Sequence, residues 1–401
     1  MEFRDSAQEQ DVSQGDPVVP RHGRLPAELA RARGVGLFNG SGRRPADYGD
    51  HWNPWVKKLN ERGWGAPAWP KEHGGGGLST KEQFILSEEF AWRRAPRPGG
   101  IGQLGRAGPT ITVVRHRGAE AGAPVRRSSA ARSSGASSSA SRARGATWRA
   151  MQTRAVKDGD DYVINGQKIW TSGAHRADMG ILIARTDPDA PKHRGISYFL
   201  VDMHTPGITT RPLVNMLNSH EFNEVYFEDA RIPASALLGE ENRGWYLAAT
   251  TLDFERSGIA TSVAHQLIVR DMTQFAKEGG RESSLDWKRQ LRSELAERAI
   301  EAQVEALISY RIITMQERGE IPNKESSIAK LFSSELDVRL AVTAMHVSGL
   351  YGQLAGHDDP RALSGKLARF YMHSTTSPIG GGTSEIQRNI IATRGLGLPE
   401  G

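Results

Sequence analysis

The chain of 401 residues is 38% hydrophobic and 24% charged, enough for two or three domains with sizeable cores, and its longest apolar runs, such as GILIA at 180–184, are strand-sized. With zero cysteines, disulfides, thiolate nucleophiles and Cys-held metals are excluded, so any redox chemistry has to be borrowed from a cofactor, and no metal site is expected. The net charge of +6 is local, because residues 115–149 hold eight Arg and one Glu, about +7, and leave the remainder near −1; without an aromatic-interleaved basic patch this speaks against a nucleic-acid partner.

In chain order, residues 1–150 form the first region. MEFRDSAQEQ at its start lacks the apolar core of a signal peptide, so a cytoplasmic protein with no membrane association is expected. From about residue 47 to 92 the pattern is helical: HWNPWVKKLNERGW and STKEQFILSEEFAWRR space apolar residues three and four apart. Between them GWGAPAWPKEHGGGG, residues 63–77, is a Gly/Pro loop. Residues 115–149 are rich in Arg and Ser with few large apolar side chains, and at face value form a basic disordered loop. Residues 151–238 read as a small β-domain: alternation around Asp158-Gly159-Asp160 gives a hairpin, followed by MGILIARTD, GISYFLVDM, GITTRPLVNM and FNEVYFEDARIP. Residues 239–401 return to long amphipathic helices with short connections, the pattern of a helical bundle.

Four phrases at matching spacings, GQKIWTSGAHRAD, EFNEVYFEDARIP, TLDFERSG and GGGTSEIQRNIIATRGLGLP, resemble the acyl-CoA dehydrogenase family, especially its actinobacterial members, over roughly residues 52–399. The resemblance implies an α+β, mainly α fold: an N-terminal helical domain, a middle small β-barrel domain and a C-terminal four-helix bundle. It implies FAD as cofactor and α,β-desaturation of an acyl-CoA thioester, in which a base removes the α-proton and the β-hydrogen leaves as hydride to flavin N5. An electron-transferring flavoprotein is the implied acceptor, and a homo- or hetero-oligomer, dimer or tetramer, the implied assembly. Two other readings stand beside it: a flavin oxidase or monooxygenase on the same fold, and a non-catalytic partner subunit or pseudoenzyme impaired by residues 115–149.

The family draws its base from one of two places. In the C-terminal loop that place is held here by Gly381, which has no proton-abstracting side chain; in TLDFERSG it is Glu255, the isovaleryl-type position and so the candidate base. Read from the residues alone, Glu255 is also an ordinary solvated helix carboxylate. Arg256 resembles the arginine beside the thioester site, Asp253 a contact to the pantetheine arm, and Gly381 retains the backbone N–H that polarises the thioester carbonyl. For flavin, Trp170, Thr171 and Ser172 resemble the family's Trp-x-Ser/Thr element, whose indole shields the isoalloxazine; a core-filling strand tryptophan is the plainer reading. Thr383 and Glu385 align with further flavin contacts, Glu385 departing from the commoner Gln. Ile386, Ile390 and Ile391 are expected to pack into the bundle. Of the Gln-x-x-Gly-Gly motif that a neighbouring subunit lends to the dinucleotide, HVSGLYGQ keeps only Gly349.

Residues 115–149 are the exception to the resemblance. Codons permitted for residues 132–149, read two bases further on, give ELWCQLFSEPGAGRDLA, which closely resembles the family's flavin-contacting Ser-Glu-Pro-Gly-Ala-Gly segment. HRGAEA at 116–121 can likewise decode as TEEQK, and VSQGDPVVP at 12–20 as FRKEIRSCL, an amphipathic first helix. The segment therefore reads as about 35 residues translated out of frame, with the ancestral frame resuming near Met151.

Overall fold

A computed structural model describes residues 52–95, 135–138, 152–191, 194–247, 258–278, 285–355 and 365–399. The helices are α1 (Trp52–Glu61), α2 (Thr80–Trp92), α3 (Ile259–Lys277), α4 (Leu285–Glu317), α5 (Asn323–Ser348), α6 (Lys366–Ser374) and α7 (Ser384–Ile390). The strands are β1 (Gly135–Ser138), β2 (Arg154–Asp158), β3 (Asp161–Lys168), β4 (Met179–Arg185), β5 (Ile196–Asp202), β6 (Ile208–Val214) and β7 (His220–Pro233). Contacts divide the chain into two compact units, the boundary falling inside α1 after Trp55. One gathers α2 to α7; the other gathers residues 56–77 and the strands.

In the strand-bearing unit the order is β1-β4-β2-β3-β7-β6, with β5 paired to β4. β2 and β3 form the expected hairpin, Asp158 opposite Asp161, and Gly159 takes a φ of +61° that the tight turn requires. β4 is almost continuously apolar because both of its faces are covered. Leu182 and Ala184 join Tyr162, Phe199, Val225 and Phe227, whereas Ile181 and Ile183 meet Trp69, Ile196 and Tyr198.

Four residues of the segment expected as a structureless loop are in fact a strand: β1 runs parallel to β4, Gly135 opposite Met179 and Ser138 opposite Leu182. The physical reason is that a sheet edge recruits main-chain N–H and C=O groups, a bond that needs no apolar side chain.

In the helical unit α3, α4, α5 and α6 share one core, built from Ile268, Met272, Leu295, Leu336, Leu340, Leu367 and Phe370 among others. α2 starts at a capping box: Ser79 Oγ accepts from the Glu82 amide at 3.2 Å and Glu82 Oε2 accepts from the Ser79 amide at 2.7 Å. Its Phe84 then packs with Ile259 and Ile313, and Tyr310 hydrogen-bonds Glu88 at 2.6 Å.

Candidate functional site

The Trp-Thr-Ser element follows β3 directly. β3 carries an irregularity between Ile164 and Gly166, and Gly166 has a φ of +132° with Thr153 so close that an added Cβ would lie 2.9 Å from its Cα. Beyond this bulge Trp170 adopts a φ of +61°, a left-handed conformation costing about 1 kcal/mol for a non-glycine residue. The indole is 57% exposed, with its ring set edge-on to Phe222 at 5.9 Å. An exposed tryptophan on a strained backbone is not filling a core, so the plainer reading of this residue fails.

Thr171 is clamped to β7. Its amide donates to the Asn223 carbonyl at 3.0 Å, and the Asn223 side-chain amide donates back to the Thr171 carbonyl at 3.0 Å. Asn223 is fully buried; its Nδ2 also reaches His175 Nδ1 at 3.2 Å, and its Oδ1 accepts from His220 Nε2 at 2.8 Å. The two imidazoles stack at 3.8 Å. Thr171 Oγ1, by contrast, is buried with no hydrogen-bond partner among the described residues, and Ser172 beside it is half-buried. An orphaned hydroxyl beside a projecting indole fits a flat polar ligand, as FAD is.

Lys168, two residues before Trp170, is wholly buried, and its Nζ likewise has no partner among the described residues. Burial pushes its ammonium down to about 7.

In the helical unit the Gly-rich turn precedes α7. Gly381 has a φ of +69° with open space around its would-be Cβ, so the missing side chain leaves a gap rather than a filled position. Thr383 caps α7: its hydroxyl accepts from the Ile386 amide at 3.3 Å. Glu385 is exposed, its carboxyl held below the usual range by its own backbone N–H and by the Thr383 hydroxyl. Ile386, expected in the bundle, is exposed; the buried positions of α7 are Ser384 and Gln387, because the helix starts at Ser384 and turns that face inward. Ser384 Oγ and Gln387 Oε1 have no partner among the described residues, while Gln387 Nε2 reaches the Gly381 and Gly382 carbonyls, each at 3.5 Å. Gly349 ends α5 with a φ of +56°. Glu255, Arg256 and Asp253 lie outside the described residues.

Asn223, His175, His220, Lys168, Ser384 and Gln387 are the residues that sequence reasoning passed over. For Lys168 a signal existed: the period-two alternation of β3 puts it inward with Tyr162 and Ile164. For the Asn223 clamp none did, since it depends on the pairing of two distant segments.

A helical unit, a mixed sheet and a projecting indole beside an orphaned hydroxyl fit an oxidoreductase that holds a flat redox cofactor. Three family domains match in order: the acyl-CoA dehydrogenase N-terminal domain over residues 44–111, the middle domain over 137–230 and the C-terminal domain over 242–396. The Mycobacterium tuberculosis acyl-CoA dehydrogenase IpdE1 is 33% identical over 386 residues, covering 94% of each chain. FadE34 of the same organism is 35% identical over 351 residues, covering 85% of this chain and 45% of its own. Among solved structures, the Tcur3481-Tcur3483 steroid ACAD superposes with a TM-score of 0.81 at 27% identity over the full length of both chains. The ChsE4-ChsE5 complex of M. tuberculosis gives 0.78 at 28%, again over all of both. The chain belongs to the acyl-CoA dehydrogenase family, oxidoreductases that act on CH–CH groups of acyl-CoA thioesters with FAD, and the oxidase, monooxygenase and non-catalytic readings are not favoured.

Proposed function

We propose that this chain desaturates an acyl-CoA thioester with Glu255 as the base that takes the α-proton. The observation that carries the reading is Trp170: a strained, projecting indole next to the orphaned Thr171 hydroxyl, in a phrase that matches the family. FAD, when bound, supplies the acceptor for the β-hydrogen, which leaves as hydride. When FAD is bound, Trp170 would shield its ring system and Thr171 and Ser172 would offer it hydroxyls, and by the family resemblance Thr383 and Glu385 would also contact it. The Gly381 N–H polarises the thioester carbonyl and so acidifies the α-carbon. Arg256 lies beside the thioester and Asp253 along the pantetheine arm in this reading. Gly349 belongs to the dinucleotide end.

An electron-transferring flavoprotein is the proposed acceptor and the cytoplasm the proposed compartment; among the described residues no helix is long and apolar enough to cross a membrane. An oligomer, dimer or tetramer, is supported by an exposed apolar stripe on α4: Ile300, Val304 and Leu307 recur on one helix face and stand 65%, 38% and 53% exposed.

The test is the visible spectrum of the purified protein before and after anaerobic addition of straight-chain, branched and steroid acyl-CoA thioesters. A yellow protein bleached by one of them supports the reading. A yellow protein that none of them bleaches overturns it. In the bleached protein Glu255→Gln should cut turnover by about 10²–10⁴-fold with flavin retained; undiminished turnover moves the base elsewhere.

A further inference from the structure

The helical unit contains a buried charged chain that the reaction above does not use. His265 on α3 is buried. Its Nδ1 lies 2.7 Å from Oε2 of buried Glu305 on α4, and its Nε2 lies 3.1 Å from Oδ1 of Asp337 on α5. The other Asp337 oxygen accepts from the Ser377 hydroxyl, in the turn that follows α6. The Ser377 carbonyl accepts in turn from Lys330 Nζ at 3.3 Å. Three helices and the root of the turn that carries Gly381 and Thr383 are thus joined through one imidazole.

A neutral imidazole has a single N–H, yet both ring nitrogens of His265 face carboxylate oxygens. Only the imidazolium donates at both ends. A neutral ring would set one nitrogen lone pair against a carboxylate oxygen, a repulsive contact. Burial by itself pushes the imidazolium down, and Glu305 and Asp337 together overcome this and raise it to about 10. Among the described residues, the charged groups facing the chain are Glu305 from α4, Asp337 and Lys330 from α5, and, beside Lys330, Glu335 from α5 and Glu385 from α7, with Arg388 of α7 paired to Glu335.

We propose that His265 is a positioning residue: donating from both ring nitrogens, it fixes Asp337 as the acceptor for Ser377, and so helps set the register of the turn bearing Gly381 and Thr383. The Ser377 bond is the tether at the root of the turn; at its far end Gln387 Nε2 reaches the Gly381 and Gly382 carbonyls at 3.5 Å and Arg388 of α7 pairs Glu335 of α5 at 2.5 Å. Gly380 donates to the Thr376 carbonyl at 3.0 Å and Ser384 to the Pro378 carbonyl at 2.9 Å, both local bonds that follow wherever Ser377 is placed. Movement of even 1 Å in a group that polarises a carbonyl costs much of its effect. The inference rests on the proposed roles of Gly381 and Thr383 for its consequence, but the tether itself is tested without them.

Nitrogen NMR of the full chain, with the His265 signal assigned by its loss in His265→Gln, should show a doubly protonated ring near pH 8, where an ordinary imidazole is neutral. A neutral ring there overturns the proposal. Hydrogen exchange then reads the turn. Ser377→Ala removes one hydroxyl and spares the helix cores, so the amides of Gly380 and Ser384 should exchange about tenfold faster while those of α3, α4 and α5 stay protected. Ser377→Thr keeps the hydroxyl and should restore protection. Unchanged exchange in a folded Ser377→Ala protein overturns the tether. If the turn loosens but flavin affinity does not change, the tether stands and the flavin role of Thr383 falls.

Discussion

Lys168 shows what a single residue can report. It is buried on β3 without a partner among the described residues, and the segment that precedes Thr153 is the one that reads out of frame. The restored reading, ELWCQLFSEPGAGRDLA, is acidic where the present one is basic, and a carboxylate from it that pairs the ammonium is a prediction that a chain in the restored frame tests. With the folded value at about 7 against an ordinary 10.5, the unfolded chain holds the proton more tightly between the two. Stability should therefore rise with pH from about 7 to about 10.5, by on the order of 1 kcal/mol per unit at its steepest, with the full penalty present below 7. Denaturant midpoints across this range would show the slope, and Lys168→Met should abolish it while stabilising the protein at pH 7. A slope that survives in Lys168→Met assigns the effect to another group. At Asn223 the same logic has the opposite sign: Asn223→Ala strands the buried Thr171 carbonyl, and should cost about 1–3 kcal/mol and weaken flavin retention together. A midpoint shift with flavin content intact would separate Thr171 from the cofactor.

At the scale of elements, local chemistry and tertiary context divide cleanly. The α2 capping box is local: Ser79→Ala should lower stability by about 1 kcal/mol, read as a drop in the midpoint, because the Glu82 amide loses its acceptor. The α4 stripe is the proposed association surface. Ile300 and Leu307 are more than half exposed, so replacing both by Glu should leave the fold intact and, if the stripe is the interface, give a smaller species in sedimentation. An unchanged sedimentation coefficient would place the interface elsewhere. β1 belongs to neither pattern. Its sequence, GASS, carries no strand signal, and it pairs because β4 presents a ladder at Met179 to Leu182.

For the whole molecule, the decisive comparison is between this chain and one encoded in the restored frame. If residues 115–149 stand where a flavin-contacting segment belongs, the restored chain should retain FAD more tightly, melt higher and lose the pH slope assigned to Lys168, since the new carboxylates would pair it. Equal flavin content and an unchanged slope would show that the present segment is an adequate substitute, and the out-of-frame reading would lose its physical support.

Much of the architecture was legible beforehand because it depends on neighbours along the chain. The 3.6-residue spacing of α2 to α5, the alternation of β2 and β3 around their turn and the unbroken apolar run of β4 each record which faces are buried, and the TLDFERSG and GQKIWTSG phrases carried the family. What only the tertiary structure decided depends on residues far apart in sequence. His265 meets Glu305 and Asp337 across 40 and 72 residues, Thr171 meets Asn223 across 52, and β1 finds β4 through main-chain atoms alone. Periodicity states that a side chain faces inward. Which charge or hydroxyl it meets there is fixed by helix packing and strand register, and those follow from the burial of the chain as a whole.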